Sequence, residues 1–166
     1  MPSKLNRSIT VITPIAAPPT TTFALITDLP GYNSWLPRSN AYKGTTEVSD
    51  VPIQEGSTYI EKGSSGTRYG RVLLLNEEDR HVRFAQPMKM KPTFLGQETG
   101  ITVDMKVDEA AEGECSVVVR EVTLEFPWIM GLFEGRLMAH FETETNRVME
   151  MMKKRLEETQ EGNGTK

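Results

Sequence analysis

At 166 residues the chain has room for one domain of ordinary size and none for a second. Its 37% hydrophobic and 25% charged residues match a chain that buries a core without disulfides or metal, which excludes an intrinsically disordered protein. A net charge of −4 with no lysine- or arginine-rich run excludes the electrostatic footprint of a nucleic-acid or anionic-membrane binder.

The segment from Met1 to Arg7 has no apolar core of signal-peptide length, and no later stretch could span a bilayer, so a cytoplasmic protein is expected. Residues 8–13 alternate and are β-branched, which predicts a first strand stopped by Pro14 and the Ala-Ala-Pro-Pro run at 16–19. Residues 20–28 read as a short helix entered through proline, and 28–37 as a second one closed by Pro37. From about 40 to 126 the pattern is of strands parted by turn residues: 40–49, 57–62, 67–76, 80–88, 93–108 and 114–126. The Gly63-Ser64-Ser65-Gly66 segment reads as a hairpin tip, since neither a Gly-Lys-Thr/Ser triplet nor a helix follows it. Cys115 has no CxxC or metal spacing around it and is expected as a small buried side chain. Residues 128–158 contain no proline and are rich in helix formers, predicting one long helix, with 159–166 as a disordered tail.

The strands are amphipathic. Ile101, Val103, Met105 and Val107 share one side, and so do Val118, Val122, Leu124 and Phe126. An antiparallel sheet with one buried face and one long helix to cover it predicts an α+β domain with the helix held in the sheet's concave side.

The order of these pieces resembles the START-like, or SRPBCC, superfamily, in particular its polyketide cyclase/dehydrase branch. The resemblance rests on Ala-Pro-Pro leading to Phe23-Ala24-Leu25-Ile26-Thr27-Asp28 and on Tyr32-Asn33-Ser34-Trp35-Leu36-Pro37. Gly56-Ser57-Thr58-Tyr59 at a strand start, Glu121-Val122-Thr123-Leu124 and the terminal amphipathic helix complete it. It implies a helix-grip fold: about seven antiparallel strands curved around a C-terminal helix, two short helices after the first strand, and a single domain over residues 1–158. It also implies a cavity for a hydrophobic or amphipathic molecule. It transfers no mechanism, because members include carriers, receptors and enzymes.

Candidate site residues come from the two periodicities. At about 100° per residue from Phe133, the residues Ile129, Leu137, Phe141, Val148 and Met151 form one apolar arc. His140 and Glu144 fall inside that arc and stand four residues apart, near enough to touch. Alternation puts Arg120 beside Val118 and Val122 on the apolar face, where an unpaired guanidinium is costly. If the three converge, Glu144 orients His140 for proton transfer while Arg120 steadies a carboxylate or enolate oxygen. The alternative is structural: Glu144 beyond the sheet in solvent, His140 at an edge, and Arg120 turned out by a bulge.

Further ligand contacts are expected from Tyr42, Tyr59, Tyr69 and Phe84, and also from Trp35, although it resembles the family's packing tryptophan and is expected in the core first. A pocket rim or an ordinary connection is expected around Met88, Phe94, Leu95 and Gln97, where methionine would adapt to varied ligands. His140 and Glu144 offer two metal ligands without a visible third, so neither metal nor cofactor is expected. The predicted activity is that of a cofactor-independent cyclase, dehydratase or isomerase acting on a polyketide-like or other polycyclic compound. The alternatives are a carrier or sensor of a lipid, quinone or isoprenoid, and an interaction module with a vestigial cavity. The oligomeric state stays open between monomer and homodimer.

Overall fold

Alternation decides the architecture. In the computed structural model, which describes residues 3–63, 66–89 and 98–164, the chain forms eight strands. They are β1 (Lys4–Ile15), β2 (Gly44–Thr46), β3 (Thr58–Gly63), β4 (Gly66–Asn76), β5 (His81–Ala85), β6 (Met88–Lys89), β7 (Glu98–Ala110) and β8 (Cys115–Pro127). The main sheet has the order β1-β8-β7-β5-β4-β3-β2, antiparallel throughout, and β6 pairs separately with β7. On β7 the residues Thr99, Ile101, Val103, Met105 and Val107 are buried, and on β8 so are Ser116, Val118, Val122, Leu124 and Phe126. Those rows form the concave face. The helix-grip expectation is met.

Two short helices follow β1, as the prolines predict. Helix α1 (Pro19–Thr27) starts with Pro19 in its first turn and buries Phe23 and Ile26. Its Thr22 hydroxyl meets the Ser116 hydroxyl of β8 at 2.9 Å, satisfying both in a buried setting. Helix α2 (Tyr32–Trp35) is a single turn in which the Tyr32 and Trp35 rings pack at 5.0 Å. The Tyr32 hydroxyl donates to the Ile26 carbonyl at 2.8 Å, tying the two helices together. Asn33 then grips β2: its amide donates to the Thr45 carbonyl at 2.7 Å and its Oδ1 accepts from the Thr45 amide at 2.9 Å.

The long helix α3 (Glu134–Asn163) differs from its expected span at both ends. Residues 128–133 form a 3-10 segment rather than the first turns of the α-helix, which changes the rotation per residue before Glu134. The far end runs past 158, where a disordered tail was expected, as far as Asn163. Lys153 and Lys154 face Glu157 and Glu158 one turn on, at 3.8 and 3.9 Å, and Leu156 is buried. These interactions extend the helix through a stretch whose composition alone reads as frayed.

Among the strands, the predicted 40–49 shrinks to Gly44–Thr46, and the predicted 80–88 is divided in two at Gln86-Pro87, where proline lacks an amide for the ladder. Cys115 is half-buried at the start of β8 rather than enclosed. Ser64, Ser65, Phe94, Leu95 and Gln97 lie outside the described residues. Among the described residues, no helix is long and apolar enough to cross a membrane.

One glycine shows how closely the concave face is packed. The Tyr59 ring lies directly over Gly70, its partner across β3 and β4, and a Cβ there would come within 2.2 Å of the ring. Gly70→Ala is therefore expected to cost about 1–3 kcal/mol, the usual range for overpacking. A thermal melt should register it as a Tm lower by roughly 2–4 °C per kcal/mol. An unchanged Tm would show that the ring yields freely.

Candidate functional site

Between the concave face and α3 lies a cavity of about 90 Å³. Phe84, Ile101, Val103, Val122, Phe141 and Val148 give it apolar walls. Tyr59 stands edge-on to Phe84 with ring centres 6.0 Å apart, and both line the space. Period-two alternation brings polar groups into the same lining: Tyr59 and Glu61 from β3, Arg68 from β4 and Arg120 from β8.

Glu61 and Arg68 are direct partners across the β3–β4 register, joined at 2.8 Å with side chains only 11% and 12% exposed. Arg68 also donates to the Ala41 carbonyl at 2.8 Å, while its Nε is buried without a hydrogen bond. The Tyr59 hydroxyl accepts from the Gln86 amide at 2.7 Å. Burial pushes the Tyr59 and Tyr32 phenols well above their ordinary values, so both stay protonated near neutrality. Tyr42, also in the lining, is committed elsewhere: its hydroxyl is 3.1 Å from Asn33 Oδ1 and 3.1 Å from the Thr45 hydroxyl.

Arg120 is placed by register, opposite Met105 of β7 and Val11 of β1, and it lines the cavity. Its Nη1 reaches the Met105 sulfur at 3.8 Å, a weak acceptor, and among the described residues its buried Nε has no hydrogen-bond partner. Desolvation lowers the pKa of this guanidinium, and the Glu61 carboxylate offsets the effect only in part. A base whose pKa is lower folded than unfolded costs stability whenever it is charged, so Arg120 is a burden on the empty fold.

The expected cluster of Arg120, His140 and Glu144 is arranged differently. All three line the cavity. Yet Glu144 is taken by Arg147, at 3.1 Å, and by the Ser39 hydroxyl, at 3.2 Å, not by His140. His140 is exposed at the cavity's edge, its ring packed 5.7 Å from that of Phe141. The reason is helix phase. The buried row of α3 is Phe141, Thr145, Val148, Met149, Met152 and Leu156, which leaves His140 about 100° behind Phe141. The arc drawn from Ile129 and Phe133 borrowed residues that belong to the 3-10 segment.

Other expected contacts divide in the same way. Phe84 and Phe141 line the cavity, as Tyr42 and Tyr59 do. Trp35 and Met88 are buried but outside the lining, and Leu137 packs half-buried against the core. Tyr69 is 66% exposed because it alternates with Arg68 and Gly70, and Phe133 is 61% exposed on the 3-10 segment. Glu61 and Arg68 were not anticipated. The signal existed: once Tyr59 faces inward, Glu61 two residues on must do so as well. Among the described residues, no group of three His, Cys, Asp or Glu side chains could hold a metal ion.

A curved sheet gripping a long helix over a cavity of mixed polarity defines a small-molecule-binding protein of the helix-grip class. The family described as polyketide cyclase/dehydrase and lipid transport matches residues 6–157, and the chain belongs to that family. Among solved structures it is similar to norcoclaurine synthase of Thalictrum flavum. A point mutant of that protein with a transition-state analogue is 13% identical, at a TM-score of 0.67 over 95% of this chain and 98% of that one. The complex with dopamine and hydroxybenzaldehyde is 12% identical, at 0.67 over 94% and 89%. Another structure of the same synthase is 14% identical, at 0.64 over 92% and 87%. At such identities the likeness concerns the fold. A search of curated proteins finds no match.

The ion pair gives a direct test of the site's construction. Glu61→Gln leaves Arg68 without its countercharge and is expected to destabilise by about 3 kcal/mol in denaturant unfolding. His140→Ala, at an exposed position, should change stability by less than about 0.5 kcal/mol. Equal midpoints for the two variants would mean that the pair contributes nothing.

Proposed function

We propose that this protein binds one compact amphipathic molecule between its sheet and α3. The apolar body of the ligand rests against Phe84, Ile101, Val103 and Phe141, and its polar end turns toward Arg120. The observation that carries this reading is the cavity itself: a void with apolar walls into which a cluster of ionisable groups is nonetheless directed. Size narrows the ligand. The space of about 90 Å³ is smaller than the roughly 150 Å³ engineered cavity that accommodates benzene, so a polycyclic compound needs the walls to part.

Binding without chemistry, as in a carrier or sensor, is the function this geometry supports best. A general base has to be free to accept a proton, and both carboxylates in the lining are engaged by arginines. A cytoplasmic setting, where the lone half-buried thiol of Cys115 stays reduced, fits this reading.

One observation favours a second reading, a cofactor-independent cyclase, dehydratase or isomerase. His140 and Glu144 occupy adjacent turns at the cavity's edge, and Arg120 lines the same space. In that reading the histidine moves a proton and the guanidinium holds developing negative charge on oxygen.

Thr145 is buried in the lining, so Thr145→Met fills the void from the helix side. The variant should melt within a few degrees of wild type, yet lose calorimetric affinity for a small alcohol such as butanol by at least tenfold, on the order of 1.4 kcal/mol. Probe binding that survives the substitution would place the ligand elsewhere. Native mass spectrometry of the purified protein separates the two functions. A stoichiometric, chemically unchanged small molecule supports the carrier, whereas conversion of an added compound, at least tenfold slower in His140→Ala, supports the enzyme.

A further inference from the structure

Pairing leaves one charge of the cavity lining unmatched. Arg68, Arg120, Glu61 and Glu144 line it, and Arg147, outside the lining, is the partner of Glu144. Arg68 of β4 is matched by Glu61 of β3 at 2.8 Å, and Arg147 of α3 by Glu144 at 3.1 Å. Arg120 of β8 is left over. Among the described residues its Nη1 has only the Met105 sulfur at 3.8 Å, and its buried Nε has no hydrogen-bond partner. The phenols of Tyr32 and Tyr59 stay protonated and supply no charge, and His140 can only add to the positive side. The stretches outside the described residues, 1–2, 64–65, 90–97 and 165–166, contain no aspartate or glutamate side chain that could close the account.

A guanidinium removed from water without a countercharge is a state folded proteins avoid. It is tolerated where the missing anion arrives with a ligand, because an oxyanion then gains a charge-assisted hydrogen bond in a medium that screens poorly. We infer that the ligand of this cavity is a monoanion, a small organic acid whose carboxylate, or an equivalent oxyanion, pairs with Arg120. The inference rests on the reading of the cavity as a ligand site and adds the ligand's charge to it. The two existing ion pairs then act in discrimination: with Arg68 and Arg147 already matched, a dianion would bring one charge more than Arg120 can pair.

Matched probes test the charge apart from the shape. Propanoate and butanoate, with propanamide and butanamide as neutral partners, are titrated calorimetrically at pH 7 and millimolar concentration into wild type, Arg120→Met and Arg120→Lys. In wild type each acid should bind at least tenfold more tightly than its amide. The preference should persist in Arg120→Lys and fall to within about twofold in Arg120→Met, which should also melt higher than wild type when no probe is present. Amides that bind wild type as well as the acids would overturn the monoanion while leaving the cavity as a ligand site. No binding by either kind of probe would overturn both. An acid preference retained in Arg120→Met would remove Arg120 from the site, and if that variant does not fold, the acid-to-amide ratio in wild type decides the matter.

Discussion

Strand β8 runs between β1 and β7 with unbroken pairing on both sides, from Ile15 opposite Ser116 to Lys4 opposite Pro127, and from Ala110 opposite Cys115 to Gly100 opposite Glu125. That continuity fixes the side of the sheet each residue takes. A slip of one residue would turn Val118, Val122, Leu124 and Phe126 to solvent together. Their burial is worth roughly 1.5–3 kcal/mol per side chain. Arg120 stands in the same row, so the force that holds its neighbours in also holds the guanidinium in. The cost of an uncompensated cation is smaller than the cost of losing the register, and so the charge stays.

The face opposite is held in place by different means. Helix α3 is anchored to the sheet by fully buried Met149 and Met152 and, further on, by Leu156. Around Glu144 the contacts become polar. Arg147 donates to the Pro37 carbonyl at 2.9 Å and to the Ser39 hydroxyl at 3.1 Å, joining α3 to the segment after α2. Ser39 in turn accepts from the Ala41 and Tyr42 amides at 3.1 Å each. One side of the cavity is thus sealed by dispersion contacts, which are insensitive to solvent. The other is closed by hydrogen bonds that water can replace. If the walls part for a larger molecule, the polar side offers the smaller resistance.

How much of this could be read from the residues follows from which interactions are local. The fold was legible because alternation in β7 and β8 and helix-former composition after residue 128 each point to one answer. The short helices were legible because proline sets their starts. The phase of α3 was not. Six residues of 3-10 structure precede it, and nothing in Trp128-Ile129-Met130-Gly131-Leu132-Phe133 distinguishes them from a first α-helical turn. That error carried Phe133 into the cavity and placed His140 and Glu144 in the middle of the apolar stripe rather than at its edge. Arg120 was legible because its neighbours in the strand are unambiguous. The Glu61–Arg68 pair was hidden because it depends on register between two strands, and the mixed residues of β4 gave that register no local signal.

Arg120 also gives the two functional readings a common physical root. A ground-state carboxylate and a developing enolate present the same thing to a guanidinium: negative charge on oxygen in a poorly screened space. A carrier needs that charge on the ligand from the start, whereas a catalyst gains most when it appears only in the transition state. The engaged states of Glu61 and Glu144 bear on this difference. Among the described residues, both carboxylates of the lining are committed to arginines, so the reading proposed above has the anion enter already formed. Proton transfer would fall to His140 at the solvent edge, where water competes for the same role. The lining is therefore better suited to recognising a charge than to making one.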